Sequence, residues 1–206
     1  MGQISKNTFK KLALLYFIGK FKDGAYSSYR VQKVFYFGTQ AVDAHPFPFR
    51  YTEHGQYSRD IRDNLDSLAT LGLIEKKGLA KTEEDGTKWS ISGKAVDLGL
   101  NAILAKIDSR LANSLDVSID EYGYLKTEEI KSRAHDDPLL KKTPFGQLLF
   151  DENLANYIEV DLPEDDCENL DLSLNENFMV CMDHIAGALE VVDFDMGEVR
   201  KVESIL

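Results

Sequence analysis

One segment near the start of the chain is apolar on almost every side when it is drawn as a helix. Phe9, Leu12 and Tyr16 share one face at spacings of three and four residues, and Ile18 helps to cover the remaining sides. A helix that is apolar nearly all round is buried in a globular protein. We therefore expect a helix over residues 7–22 that lies in the core.

Two further helices are predicted after it. The second should run from residue 27 or 28, where a serine can cap it, to about Val42. The third begins at Ser58 and ends at Gly72, because glycine readily adopts the left-handed conformation that closes a helix. Between these helices, the prolines of residues 45–49 exclude helix, and alternating aromatic residues predict a short extended segment.

A pair of strands should follow the third helix. Residues 73–77 and 87–92 have strand-like composition, and the polar residues 83–86 form a suitable hairpin tip. Three helices followed by a two-stranded hairpin is the element order of a winged helix. The sequence therefore predicts a mainly α fold with a small β hairpin, of the α+β class, in which residues 1–92 are a winged-helix-like N-terminal half.

The second half is predicted to be a helical C-terminal part that packs on the first over residues 93–150. A long helix should run from Gly93 to about Leu115, followed by a turn at residues 120–123. Thr127 should cap another helix, which Asp137-Pro138 would break. Pro144 and Gly146 bracket a short apolar run that ends at Phe150.

Charge is distributed unevenly along the chain, and the C-terminal end is strongly acidic. Residues 1–110 contain 17 basic and 12 acidic residues, whereas residues 151–206 contain 2 basic and 16 acidic residues. We predict an acidic linker over residues 151–171 and a final helix at about 174–192. The charge split indicates either two surfaces with different partners, contact between the halves, or a solvated acidic end that aids solubility.

Composition favours a cytoplasmic protein. The chain has only two cysteines, Cys167 and Cys181, and neither belongs to a metal-binding or redox motif. The apolar run from Leu12 to Ile18 is too short for a membrane span and is not followed by a signal-peptide cleavage pattern. We therefore expect no membrane association.

No motif in the sequence indicates catalysis, a cofactor or a metal. Zinc-binding, nucleophile-elbow and phosphate-loop patterns do not occur, and no two histidines have the spacing of a helical zinc site. The run His135-Asp136-Asp137 could contribute metal ligands, but a turn before Pro138 is the better interpretation. We expect a non-enzymatic protein, and an enzyme would require a cleft with convergent titratable groups.

A winged helix often binds DNA through its third helix, so we also considered a transcription regulator. Arg59 and Arg62 lie on the predicted third helix, but Asp60, Asp63 and Asp66 lie there too. Phosphate contact requires an excess of positive charge, so the sequence supports DNA binding only weakly.

Two stretches of the chain carry a family resemblance. The segments KVFYFGTQ, from Lys33, and FRYTEHGQYSRDIRDNLDSLATLGLIE, from Phe49, resemble the SocA-like, or Panacea, antitoxin domain and its YwgA-like relatives. That family has a helix with a K-x-x-Y core and a GPYS turn, for which this chain has Gly55-Gln56-Tyr57-Ser58. The later segment DEYGYLKTEEIKSRAHDDPLLKK resembles the family's C-terminal helix, with His135 and Pro138 at matching positions.

The resemblance implies a protein-binding role, as an antitoxin or a defence-associated adaptor for a toxin or another defence protein. It transfers no catalytic residues. From it and from the third helix we predict a partner-binding surface. Its residues are His54, Gly55, Tyr57, Ser58, Arg59 and Arg62.

Several alternatives stay open from the sequence. A DNA-binding regulator is the first, and a hydrolytic or nucleotide-processing enzyme is the second. An acidic end that mimics nucleic acid ranks last, because the carboxylates of residues 151–171 are irregularly spaced. A homodimer is compatible with each of these interpretations.

Overall fold

The structure is a computed structural model that describes residues 6–42, 45–78, 87–97 and 107–153. All of them belong to one compact unit, Met1–Glu164. The helices are α1 (Lys6–Lys20), α2 (Ser28–Gln40), α3 (Arg59–Thr70), α4 (Gly93–Asp97), α5 (Ser109–Ser118), α6 (Thr127–Asp136) and α7 (Pro138–Lys142). The strands are β1 (Ala25–Tyr26), β2 (Phe49–Thr52), β3 (Gly55–Tyr57), β4 (Ile74–Gly78), β5 (Thr87–Ile91) and β6 (Leu148–Phe150).

The fold is mainly helical with small antiparallel sheets, which confirms the predicted α+β class. The third helix and the antiparallel pairing of the next two strands are present where the sequence predicts them. Strand β1 joins that pair to give the order β1-β5-β4, with Ala25 opposite Trp89. The described helices include none that is long and apolar enough to cross a membrane.

A second sheet has the strand order β3-β2-β6. The sequence predicts only a short extended segment for β2, because alternating aromatic residues do not identify the strands that will pair with it. Here Phe49 lies opposite Phe150, which is about one hundred positions later in the chain. This sheet therefore connects the N-terminal half to the segment that follows α7.

Helix α1 lies in the core, as its apolar surface predicts. Every residue from Lys11 to Ile18 is buried. The ring of Phe17 packs edge to face against Phe35 of α2, with 5.2 Å between the ring centroids. The aromatic residues of the PFPF segment continue this cluster, since the rings of Phe35 and Phe47 are 5.4 Å apart.

Helices α2 and α5 approach each other closely at Gly38. The Ser114 hydroxyl donates a hydrogen bond to the Gly38 carbonyl at 2.5 Å. A Cβ atom at position 38 would lie 2.7 Å from Oγ of Ser118 and 2.9 Å from a methyl of Leu115. Glycine at this position therefore allows the two helices to pack.

The predicted continuous helix from Gly93 to Leu115 is wrong. Asp108 has a non-helical backbone conformation, and its carboxylate accepts hydrogen bonds from the backbone N–H groups of Arg110 and Leu111. An aspartate that bonds these free N–H groups begins a new helix, which is α5. The apolar spacing continues across this break, so periodicity alone did not reveal it. Residues 98–106 lie outside the described part.

Two smaller predictions about the second half also need correction. Residues 120–123 are not a simple turn, because Ile119–Gly123 form a π-helical turn that continues α5. Thr127 does not cap α6; it is the first residue of the helix, and the Glu129 carboxylate accepts the Lys126 backbone N–H at 2.9 Å. The predicted hairpin tip at 83–86, most of the acidic linker and the final helix at 174–192 lie outside the described residues.

We predict that Gly38→Ala lowers the free energy of unfolding by about 1–3 kcal/mol, because the added methyl group would collide with α5. Gly93→Ala is the matched control, since nothing lies within 4 Å of a Cβ at that position. Urea denaturation followed by circular dichroism measures both. Equal stability of the two variants would contradict the close packing at Gly38.

Candidate functional site

The predicted turn motif at residues 55–58 is only partly a turn, because Gly55–Tyr57 form strand β3, which pairs with β2. His54 lies in the β2–β3 hairpin turn, and Ser58 precedes α3. Gly55 is buried and has a φ of +76°, a conformation that side chains with a Cβ rarely adopt. Thr52 stabilises the turn, because its hydroxyl donates to the Gly55 carbonyl at 3.2 Å and accepts the His54 backbone N–H at 3.2 Å. The motif glycine therefore has a backbone role.

Gln32 of α2 fixes the end of this turn. Its side-chain amide donates to the Ser58 carbonyl at 2.7 Å and accepts the Ser58 backbone N–H at 2.9 Å. Ser58 precedes α3, but its side chain makes no capping hydrogen bond. Its hydroxyl is buried without a partner among the described residues. The start of α3 is therefore held by a glutamine from another helix.

Lys33 of α2 holds the other side of the turn. Its ammonium group donates to the carbonyl oxygens of His54 and Gln56, the latter at 2.5 Å. The residue is only 1% exposed. Burial lowers the pKa of Lys33 to about 7, because a charged amine loses its hydration there. This lysine is thus a buried amine close to its protonation midpoint at neutral pH.

Gln56 brings the two family-like segments together. It stands where the family has proline, and it is fully buried. Its amide donates to the Ala134 carbonyl at 2.9 Å and to the Asp137 carboxylate at 3.2 Å. Segments 55–58 and 135–138 therefore meet through a side chain that proline could not replace.

Asp137 is the centre of this second contact. Its carboxylate accepts the Tyr36 hydroxyl at 2.5 Å and the Leu139 backbone N–H at 2.8 Å. Burial, together with the neighbouring carboxylate, raises the pKa of the Tyr36 phenol. The K-x-x-Y pair of α2 thus anchors both segments, Lys33 at the turn and Tyr36 at Asp137.

A groove of about 340 Å³ opens beside this turn. Its lining residues come from α2, the β2–β3 hairpin, α3 and the first sheet, and they include the buried Lys33. Its aromatic residues and histidine are Tyr29, His54, Tyr57 and Trp89, and its other charged residues are Arg62, Asp66 and Lys76. We call this feature the α2–α3 groove.

The structure divides the six predicted site residues into three groups. His54, Tyr57 and Arg62 line the groove, and Arg62 is exposed. Gly55 and Ser58 are buried and shape the backbone. Arg59 is exposed outside the groove, 3.4 Å from Asp63 on its own helix.

Asp60, His135 and Pro138 of the family-like segments lie at or near the surface. Asp60 forms an ion pair with Lys10 of α1 at 3.2 Å. His135 is exposed, and so is Pro138, which begins α7. Asp136 is exposed and pairs with Lys141, whereas Asp137 faces the core, so this run does not converge on one point. Within the described ranges, no three histidine, cysteine or acidic side chains could hold a metal ion.

Sequence reasoning missed the four polar residues that hold the site together, which are Gln32, Lys33, Gln56 and Asp137. One signal was available in the pattern of α2. Lys33 lies between the inner-face residues Val31 and Val34, and a charged residue there is buried only when its polar group is bonded. No pattern along the chain indicates that Gln56 would reach Asp137.

Comparisons of this chain with protein-family models, with curated proteins and with solved structures gave no match.

We predict that stability rises with pH between about 7 and 10 because of Lys33. Its pKa is lowered in the folded state, so over this range the unfolded chain binds the proton and the folded chain does not. The slope from this group should reach at most about 1.4 kcal/mol per pH unit. Urea denaturation from pH 6 to 9.5, compared with Lys33→Met, isolates the effect.

The same pH dependence in Lys33→Met would contradict this prediction. If that variant does not fold, the titration of the Lys33 side chain in the native chain, followed by NMR with labelled lysine, gives the midpoint directly. A midpoint near that of a free lysine would equally oppose it.

Proposed function

We propose that this protein is a non-enzymatic protein-binding module, an antitoxin-like or defence-associated adaptor, that binds a protein partner through the α2–α3 groove. The observation that carries the proposal is the rigid display of an amphipathic groove. Tyr57 and Arg62 line it, while hydrogen bonds from Gln32 and Lys33 of α2 fix the backbone at Gln56 and Ser58. Binding surfaces favour tyrosine, tryptophan and arginine beside preformed pockets.

The buried polar groups around the groove support binding rather than bond-making. The hydrogen bonds of Gln56 and Asp137 are directed to backbone groups and to Tyr36, which fixes the turn. Preorganisation of this kind lowers the entropy lost on association, because the turn does not need to be ordered by the partner. The resemblance to antitoxin domains indicates the same class of function.

A winged-helix DNA-binding regulator is the second candidate. The element order and the sheet order β1-β5-β4 favour it, since this arrangement places α3 beside a strand pair. The charges oppose it: Arg59 pairs with Asp63, Lys76 with Asp66, and Lys77 with Glu75. Lysine and arginine side chains that already pair with carboxylates neutralise fewer DNA phosphates, so DNA binding releases fewer counterions. We therefore rank this candidate lower.

We predict that a photoreactive residue at the groove captures one protein in the native host. Replacing Tyr57 by p-benzoylphenylalanine in the full chain should give a discrete cross-linked species, which mass spectrometry identifies. The same replacement at Tyr124 is the matched control, because Tyr124 is an exposed aromatic residue that packs against Phe21, outside the groove.

A specific partner should cross-link from position 57 and not from position 124. The yield should fall at least about tenfold when Arg62→Glu is added, because reversing a charge at a binding edge repels a complementary partner. Equal adducts from both positions, or none from either, would oppose binding through the groove. Rescue of growth by co-expression with the product of an adjacent gene would identify an antitoxin role.

We further predict no binding to duplex DNA of the neighbouring promoter, even at low salt. Gel-shift titrations of the full chain at low and moderate salt test this point. A salt-sensitive shift that Arg62→Ala removes would favour the regulator over the adaptor.

A further inference from the structure

We propose that the α2–α3 groove recognises an acidic side chain of the partner protein, an aspartate or glutamate whose carboxylate pairs with Lys33. This inference rests on the proposed function for the identity of the ligand. Its physical basis is a positive site in the groove that the described residues leave without a matching negative charge.

The amine of Lys33 is partly satisfied and partly available. An ammonium group has three N–H donors, and two of them bond the carbonyl oxygens of His54 and Gln56. Among the described residues, no carboxylate forms an ion pair with it. One donor has no hydrogen-bond acceptor among the described residues, and the two carbonyl dipoles and the Tyr29 ring offset only part of the lost hydration.

The shape of the turn leaves space next to this amine. A Cβ at position 55 would lie 3.2 Å from Nζ of Lys33, so any larger residue than glycine would crowd the ammonium group. The ring of Tyr29 lies 4.9 Å from the same atom and forms an aromatic wall. Lys33 and Tyr29 both line the α2–α3 groove, so the amine lies beside an aromatic wall of that groove.

Two more residues that line the groove carry donors without an acceptor among the described residues. The indole N–H of Trp89 is buried and has no partner in the described part of the chain. Arg62 is exposed and forms no ion pair there, whereas Lys76, across the groove, is already paired with Asp66 at 3.4 Å. The charged side chains that line the groove therefore sum to +2 when Lys33 is protonated, because Lys33, Arg62 and Lys76 outweigh Asp66.

This balance favours a carboxylate over a phosphate. Asp66 lies in the same groove and would repel a doubly charged phosphate more strongly than a singly charged carboxylate. Aromatic walls suit the methylene groups of a glutamate and an apolar neighbour on the partner. A charge-assisted hydrogen bond from a buried ammonium to such a carboxylate would be short and specific.

Binding should take up a proton, because the carboxylate pairs with the ammonium form of Lys33. In the free protein the pKa of Lys33 is about 7, so at higher pH the amine must be protonated before it binds. Affinity should therefore fall roughly tenfold for each pH unit above 7. The other titratable or charged groups that line this groove are Tyr29, His54, Tyr57, Arg62, Asp66 and Lys76.

The test uses the full chain and two capped peptides, acetyl-Phe-Glu-Phe-amide and acetyl-Phe-Gln-Phe-amide, with inorganic phosphate as a third probe. NMR of protein labelled at lysine follows the Lys33 side chain from pH 6 to 9. The glutamate peptide should bind at least tenfold more tightly than the glutamine peptide and should raise the Lys33 titration midpoint. Equal binding of the two peptides, an unmoved midpoint, or tighter binding of phosphate would overturn the assignment.

Three variants test the separate contributions of Lys33, Arg62 and His54 to binding of the glutamate peptide. Lys33→Met should lose at least tenfold in affinity and the pH dependence, and Arg62→Gln, which changes an exposed residue and should fold, should lose roughly twofold to fivefold. His54→Asn is the control, because it keeps the backbone carbonyl that Lys33 bonds and removes the imidazole. A pH dependence that disappears in His54→Asn, or unchanged affinity in Arg62→Gln, would refute the proposal.

Failure of this inference and failure of the proposed function would give different results. If the groove captures a protein partner but peptide binding ignores the carboxylate, the adaptor role stands and this inference is wrong. If the glutamate peptide binds as described but no partner cross-links from position 57, the acid-binding site stands and the adaptor role fails.

Discussion

The bond from Lys33 to the β2–β3 turn is the interaction on which the candidate site depends. Its ammonium group reaches from the middle of α2 to two carbonyl oxygens of the turn, and Gly55 leaves the room that it needs. A buried amine is costly unless it is hydrogen-bonded, so the turn and the helix stabilise each other. This contact fixes the β2–β3 hairpin against α2, and the groove opens beside it.

Around that contact, the fold uses aromatic packing to join segments that are distant in sequence. Tyr36 stacks on Phe150 with 5.1 Å between ring centroids, and its hydroxyl bonds Asp137. The second sheet brings Phe150 beside Phe49. One residue of α2 therefore connects the core, the second sheet and the α6–α7 junction, and the polar bond adds direction to contacts that are otherwise non-directional.

The proposed adaptor role and the proposed acidic ligand follow from one physical arrangement. The groove has a rigid backbone, aromatic walls and a buried cation, whereas most other cations near α3 are paired with aspartate or glutamate. Such a site would select its ligand by charge at Lys33 and by shape along the aromatic side chains. It also accounts for a turn motif in which the glycine and the serine serve the backbone, while Tyr57 and Arg62 remain available to a partner.

The sequence by itself determined the local elements: the buried α1, the third helix closed by Gly72, and the strand pair after it, because these depend on periodicity and on glycine conformation. It also singled out residues 54–58, but it predicted a turn where Gly55–Tyr57 form strand β3. The helix break at Asp108 is local too, because its carboxylate bonds the N–H groups of Arg110 and Leu111, but apolar spacing does not reveal it. Tertiary structure alone decided that β6 pairs with β2 and that Gln56 meets Asp137. These are contacts between positions far apart in the sequence, and apolar spacing carries no information about them.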